Sequence, residues 1–371
     1  MLRLRVVQAE FGDCLILEFG TKAEPKYMLV DGGPDGVYSA HLRPELLRIR
    51  DSGGKIELAV LSHVDNDHAV GLLDLMADLR AARANGTPEA IRIDALWHNS
   101  FAQTVARGTD IEERLTTLLA SARSAGQIMS ATGMVVQGIS EGNQLRVVAA
   151  MLGLPLNSGF DGGIITQDVA PAPIGLGNLQ MRIVGPTVES LKKLKKEWLR
   201  WLDTHEDQVA SGAPMVAEKI DSSVPNLSSI MVWVEADGKK LLLTGDGLGE
   251  DLIQGLRKAG LLDPAGRGHV DLLKLPHHGS ERNVTKKLFE TITADQYVIS
   301  ANGRYGNPDL STLIWLVEAA RDRGQPVELL ATNETDSTRK LLQEYSPSKY
   351  GYRLTLMDRA THTMVAEISP P

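Results

Sequence analysis

The chain has 371 residues, 43% hydrophobic and 23% charged, with a formal net charge of -8. This composition suits one large core or two ordinary ones. It excludes a broadly basic coat for nucleic acid, though not a nuclease, whose bound cations supply local positive charge. Cys14 is the one cysteine, so no intrachain disulfide forms. That fits a reducing compartment. The start, MLRLRVVQAEFGD, lacks a signal peptide's apolar core, and no stretch approaches the roughly 20 apolar residues of a membrane span. A cytoplasmic protein with no membrane partner is expected.

In chain order, LRLRVVQA alternates apolar and polar residues and predicts a strand. CLILEFG and KYMLVDGG predict two more, the latter ending in a Gly-Gly turn that carries Asp31. KIELAVLSH is mostly apolar, the pattern of a buried strand. AVGLLDLMADLRAARANG follows with helical spacing and a stop at Asn85 and Gly86. His63, Asp65, Asp67 and His68 thus sit where a buried strand turns into a helix, an edge where chemistry is common. AIRIDALWHNS is another apolar run, ending in His98.

Between 99 and 180 periodicity weakens. IEERLTTLLASARSAG predicts a helix, MSATGMVVQGISEG a second, and the Gly- and Pro-rich stretch 153–175 a loop. NLQMRIVGPT predicts a strand and ESLKKLKKEWLRWLDTHED an amphipathic helix. SSIMVWVEADGKKLLLTGDG predicts a hairpin turning at Asp237 and Gly238. DLIQGLRKAG predicts a helix, and HVDLLKLPHHGS a buried strand ending in His277 and His278. Strand–helix alternation continues through KKLFETIT, QYVISAN, STLIWLVEAARDRG and VELLATN.

Several apolar runs therefore end in a histidine or aspartate: Asp31, His63, His98, Asp246 and the His277–His278 pair. Strands give such groups rigid support, as a preorganised metal site requires. Imidazole with carboxylate suits zinc, manganese or iron. His63 and Asp65 are two apart and share a face in extended backbone. Asp67 and His68 fall at the turn and point to a second position, so one loop can serve two metals.

These motifs, in this order, resemble those of the metallo-β-lactamase fold superfamily. The nearest likeness is to the soluble hydrolase domain of the ComEC-like competence proteins and its stand-alone relatives. EFGDCLIL is similar to that group's opening Gly-Asp-Ser turn, with Cys14 in the serine place, and LVDGG carries the first superfamily motif through Asp31. LSHVDNDHAVGL carries the His-x-Asp-x-Asp-His signature. NLSSIMV is similar to an Asn-x-x-Ser strand start through Asn226 and Ser229, and LLLTGDG carries Asp246 in the place of the metal-bridging aspartate. LLKLPHHGSERN carries a Leu-Lys-x-x-His-His-Gly-Ser motif. ISANGRYGNPDLSTL is similar to a Tyr-Gly-His-Pro motif, but Asn307 replaces the histidine.

The resemblance covers about 1–98 and 226–315. It implies an α/β chain folded as a four-layer αββα sandwich, one hydrolase domain over 1–371 with a partly helical insertion at 99–180. It implies two divalent ions, zinc or manganese. One would take His63, Asp65 and Asp246, with His98 as a further candidate. The other would take Asp67, His68, Asp246 and one of His277 or His278, with His278 preferred. Asp67 and Asp246 would orient a water activated between the cations. His277 would stabilise the transition state or assist the leaving group, while Lys274 lies too far back on its strand to take part.

The implied substrate is a phosphodiester, nucleic acid included. A rival reading is hydrolysis of a lactone, thioester or other carboxylic substrate. A third is a metal-binding subunit of low activity that meets a protein partner through 99–180, an idea motivated by that insertion and by Asn307. Ordinary readings compete at single residues. Aspartates cap helices, Thr-Gly-Asp-Gly makes a turn, and His98 fits a satisfied core histidine as well as a ligand. Lys192, Lys193, Lys195 and Lys196 with Trp198 and Trp201 suit an amphipathic helix or a track for single-stranded nucleic acid. The ordered recurrence of Asp246 and His-His-Gly-Ser selects the ligand reading for the 63–68 loop.

Overall fold

A computed structural model describes residues 1–100, 104, 144–169, 172–210 and 225–368. The two helices expected at 111–126 and 129–142 lie outside these residues. The first sheet has six strands in the order β14-β1-β2-β3-β4-β5. These are β1 (Leu2–Val7), β2 (Leu15–Gly20), β3 (Pro25–Val30), β4 (Ile56–Leu61), β5 (Leu96–His98) and β14 (Thr363–Glu367). The second has eight, in the order β13-β12-β11-β10-β9-β8-β7-β6. They are β6 (Ile174–Leu176), β7 (Leu179–Gly185), β8 (Met231–Ala236), β9 (Lys239–Leu243), β10 (Gly268–Lys274), β11 (Ile292–Ile299), β12 (Val327–Ala331) and β13 (Tyr352–Leu356).

Strand alternation builds the layers. Leu15, Leu17 and Phe19 of β2 face inward with Leu2, Leu4 and Val6 of β1, against Val232 and Val234 of β8 and Leu241 and Leu243 of β9. The opposite face of the first sheet carries Ile16, Leu29 and Ala59. It is covered by α1 (Arg43–Asp51), α2 (Asn66–Asn85) and a helical stretch α3 at 144–151. The outer face of the second sheet packs on α5 (Gly249–Lys258), α6 (Lys286–Thr291), α7 (Leu310–Asp322), α8 (Asp336–Glu344) and α9 (Pro347–Tyr350). Strands such as β2 and β10 are thus buried on both faces, which is why they read as nearly unbroken apolar runs. The result is the expected αββα sandwich.

Several elements were not named by the sequence reading: α1, α3, α8, α9, β6, β13 and β14. Helix α1 was not legible: it buries only Leu46 and Ile49 among charged residues. Strand β14 closes the first sheet by pairing antiparallel with β1, Arg3 opposite Glu367, a contact across nearly the whole chain. Helix α4 (Val188–Ala210) buries Leu191 and Leu194 and exposes Lys192, Lys193 and Lys196, as an amphipathic helix should. The side chains of Trp198 and Trp201 lie outside the description. No helix among the described residues is long and apolar enough to cross a membrane.

On the outer face of the first sheet, Glu18 is 2% exposed. It accepts hydrogen bonds from Arg3 Nε (2.8 Å) and Arg5 Nε (3.0 Å). Burial raises its pKa, but the two guanidiniums outweigh burial and hold the carboxyl below its ordinary range. Its stabilisation is therefore present above the ordinary carboxylate value of about 4.3 and is lost as pH falls through the lower native value. Glu18→Gln leaves two guanidiniums facing each other and should cost about 2 kcal/mol at pH 7, less than a fully buried pair because both arginines touch water. Urea midpoints that do not converge between wild type and variant as pH drops from 7 to 3 would count against this account.

Candidate metal centre

Within each sheet the strands that end at the site run parallel: β3, β4 and β5 in the first, and β9, β10 and β11 in the second. Parallel strands deliver their carboxyl ends to one edge. Asp31 follows β3, Ser62 and His63 follow β4, His98 ends β5, Asp246 lies three residues past β9, and His277 and His278 follow β10. Asp65 is the N-cap residue of α2, and Asp67 and His68 lie in its first turn. At the end of β10 the chain turns through three left-handed residues, His277 (φ 45°), His278 (φ 56°) and Gly279 (φ 86°). Such conformations cost a non-glycine residue about 1–3 kcal/mol and occur mainly at functional sites. Here they aim two successive imidazoles at the same edge.

Among the described residues, ligand atoms of Asp67, His68, Asp246 and His278 all lie within 4.8 Å of one another. His68 Nε2 is 3.2 Å from Asp246 Oδ1, and His278 Nε2 is 3.3 Å from Asp67 Oδ2 and 3.7 Å from Asp246 Oδ1. His63 Nε2 is 3.6 Å from Asp65 Oδ2 and 3.9 Å from Asp246 Oδ2. His63, Asp65 and Asp246 are more open and do not all close to 4.8 Å. His98 is buried at the end of β5, opposite Leu61 in register, and is not part of the close group.

A divalent cation fits the close group by a simple criterion. Nε2 of His63, His68 and His278 and Oδ1 of Asp246 are buried and make no hydrogen bond. Buried polar atoms without partners are costly, and four of them converge here. Two imidazole nitrogens and two carboxylates are a donor set suited to zinc or manganese. The other ring nitrogens are already engaged. His68 Nδ1 lies 2.8 Å from Asp31 Oδ2, and His278 Nδ1 lies 2.8 Å from the Ser300 carbonyl. Both partners accept only, so each Nδ1 carries a hydrogen and each Nε2 is the atom left to face the centre. Asp31 is itself fixed by the Ser62 backbone N–H and hydroxyl, both at 2.7 Å.

Beneath this floor lies a second charge layer. Asp13 and Lys274 are 1% and 0% exposed and form an ion pair. Lys274 Nζ also donates to the Gly245 carbonyl (3.2 Å) and sits 4.0 Å from Asp246 Oδ1. Lys274 therefore does reach the centre, from below, and is sealed from substrate. Asp13 Oδ1 lies 3.4 Å from His278 Nδ1. The Gly-Asp turn was visible in the sequence, but its role needed a partner 261 positions away.

The protonation states follow from this crowding. Burial opposes a charge on His68, yet Asp246, Asp67 and Asp31 outweigh it and push its pKa well above the usual imidazole range. For His278, burial again opposes, and Asp246 and Asp13 push the value up to about 9. For Asp246, burial raises the pKa, but His68, His278 and His277 hold it well below the carboxylate range. Protons thus occupy imidazoles that a cation would claim, and ligation must release them.

The opening is lined by Asp65, Asp67 and His277, whose side chains are 26%, 23% and 19% exposed. His277 Nε2 is 3.6 Å from Asp246 Oδ2. Asn283 donates its amide N–H to the Asp246 carbonyl (2.8 Å), so its oxygen faces His277 Nδ1 at 2.6 Å. The Asn226 amide nitrogen lies 3.1 Å from the same Nδ1, so Nδ1 is engaged on both sides and Nε2 is the atom turned to the opening. Asn307, in the place of the expected histidine, donates from Nδ2 to the His277 carbonyl (3.4 Å) and braces that turn. Asn283 and Ser300 stand inside the LLKLPHHGSERN and ISANGRYGNPDLSTL motifs, but their support of His277 and His278 depends on contacts that the strings do not reveal.

Gly12 sets the spacing of the ligand loop. A side-chain carbon there would overlap the Asp67 carbonyl oxygen, which accepts from the Asp13 N–H at 3.2 Å. Gly12→Ala should displace the first turn of α2 and weaken zinc binding roughly 10- to 100-fold, the usual effect of losing an outer-shell support. Competition titration against a chromophoric chelator measures this, and unchanged affinity would show that the loop tolerates the shift.

No family model matches the chain, and no curated protein matches its sequence. Similar solved structures include the metallo-β-lactamase fold protein YhfI from Bacillus subtilis, at 11% identity and TM-score 0.43, covering 99% of each chain. A diphosphatase from the PhnP family matches at 12% identity and TM-score 0.40, over 99% of this chain and 98% of that one. Zn(2+)-bound PqqB from Methylobacterium extorquens matches at 12% identity and TM-score 0.39, over 98% of this chain and 100% of that one.

Proposed function

We infer that this chain is a metal-dependent hydrolase with a dinuclear centre and that it cleaves phosphodiesters. The observation that carries the reading is the convergence of Asp67, His68, Asp246 and His278 within 4.8 Å, with buried ligand atoms that no protein group satisfies. His63, Asp65 and Asp246, with His98 nearby on β5, would hold a second cation. Bound divalent ions would supply Lewis acidity and an activated water.

The protein's own groups account for the rest. Asp67, at the opening, accepts a proton from the attacking water. Asp246 is a shared anion between the two ligand sets. His277 reaches the reacting phosphoryl or leaving oxygen through Nε2, with its ring fixed by Asn283. An imidazole held in place in this way would donate from Nε2 when that atom carries the proton, and a preorganised donor stabilises developing charge without reorganisation. Support for an anionic substrate comes from Arg282 and Arg304, exposed cations on the loops that carry Asn283 and Asn307; among the described residues neither has a carboxylate within 4.0 Å.

The test is a panel of metal-loaded assays on single- and double-stranded DNA, RNA, bis(p-nitrophenyl) phosphate, a lactone and a chromogenic cephalosporin. Turnover of phosphodiesters with manganese or zinc is expected. Turnover confined to the lactone or cephalosporin would replace this reading with the carboxylic one.

A further inference from the structure

Two loops beside the metal centre build a feature that hydrolysis itself does not need. The first, Glu10–Asp13, abuts the ligand turn: Asp13 N–H donates to the Asp67 carbonyl. The second, Asn302–Pro308, follows Ser300, whose carbonyl engages His278, and contains Asn307, which braces His277. The loops are tied together. Ser300 Oγ donates to the Gly12 carbonyl (2.6 Å), and Asn302 Nδ2 donates to Glu10 Oε2 (3.0 Å).

From this joined rim Phe11 and Tyr305 meet edge to face, with ring centroids 5.4 Å apart at 89°. The Arg304 guanidinium lies over both, 4.7 Å from the Phe11 centroid and 5.6 Å from that of Tyr305. Tyr305 is 60% exposed. A large aromatic ring held by a cation yet left open to water has an unused face. Such a guanidinium–aromatic platform matches a planar, electron-rich ring attached to an anion, because the ring stacks while the cation meets the charge.

We propose that Phe11, Arg304 and Tyr305 form a base-stacking subsite, so that the phosphodiester cleaved at the metal centre is that of a nucleotide. This rests on the phosphodiester reading and narrows it: the nucleobase lies against Tyr305 and Arg304 while the phosphate enters the centre. Stacking of this kind is tolerant of base identity, so discrimination among the four bases is not expected.

The experiment compares two substrates with the same leaving group, thymidine 5′-(p-nitrophenyl phosphate) and methyl p-nitrophenyl phosphate, on full-length manganese-loaded protein. The readout is the ratio of their kcat/KM values. Wild type should favour the nucleotide ester by about 5- to 150-fold, the range of one stacked base. Tyr305→Ala and Arg304→Ala should bring the ratio toward one, while Tyr305→Phe keeps it. A wild-type ratio near one, or a ratio unmoved by Tyr305→Ala, overturns the subsite.

If wild type hydrolyses neither ester, the phosphodiester reading fails on its own account. The subsite is then judged by fluorescence anisotropy of a labelled pentathymidylate with calcium present. Binding weakened at least fivefold in Tyr305→Ala supports stacking, and equal binding overturns it.

Discussion

Asp246→Asn is expected to yield a folded protein that loses both bound metal and hydrolysis. The substitution keeps the size of the side chain but removes the charge shared by His68, His278 and His277, all within 3.7 Å of its oxygens. Losing an outer-shell partner alone typically costs 10–100-fold in metal affinity, and loss of a shared ligand should cost more. With several kcal/mol of charge stabilisation gone and tenfold in rate per 1.36 kcal/mol, kcat/KM should fall about 10³-fold or further. Metal content after dialysis and turnover on the substrate panel are the measurements. A variant that retains wild-type zinc stoichiometry would show that Asp246 is not a ligand. A metal-free variant with an unchanged circular dichroism spectrum would confirm that the loss is local.

Lys274→Met should be the most destabilising single change at the centre. Lys274 is 0% exposed and pairs with Asp13, itself 1% exposed. Breaking a buried pair by removing one partner leaves an uncompensated charge and costs about 3–5 kcal/mol. The double variant Lys274→Met with Asp13→Asn removes both charges and should recover more than 1 kcal/mol of that loss. Urea unfolding of the chelator-treated proteins gives the cycle. A single-variant cost under 1 kcal/mol, or no recovery in the double, would mean that the pair does not carry the floor of the site. The same variant should also perturb zinc binding, since Lys274 donates to the carbonyl of Gly245, the residue before Asp246.

Much of the architecture could be read locally because the forces that form it are local. The hairpin over β8 and β9 turns at Asp237 and Gly238, both with positive φ, as an Asp-Gly turn requires. Helix α2 stops at Gly86 in the left-handed conformation, the usual device for ending a helix. Helix α1 escaped notice because two buried side chains in nine residues give no clear period. Strand β14 escaped because its pairing with β1 is decided by what remains unpaired at the sheet edge, and no short window of sequence contains that information.

The centre divides the same way. Its candidate residues were legible because histidine and aspartate at the ends of apolar runs have few other reasons to cluster there. The supporting layer was not. Asp13 with Lys274, Asn283 with His277, and the Ser300 carbonyl with His278 are ordinary residues whose meaning comes from a partner brought near by parallel strands.

The sequence by itself determined most of the strands, the longer amphipathic helices and which groups could bind a cation, since side-chain periodicity and donor chemistry are properties of short segments. Only the tertiary structure decided that β4 and β10, from different sheets, end at one edge and that a buried lysine underlies it, and it placed His278, already preferred over His277, in the close group. Those outcomes depend on strand order and backbone direction across long separations, where packing and burial of charge, rather than local preference, set the lowest free energy.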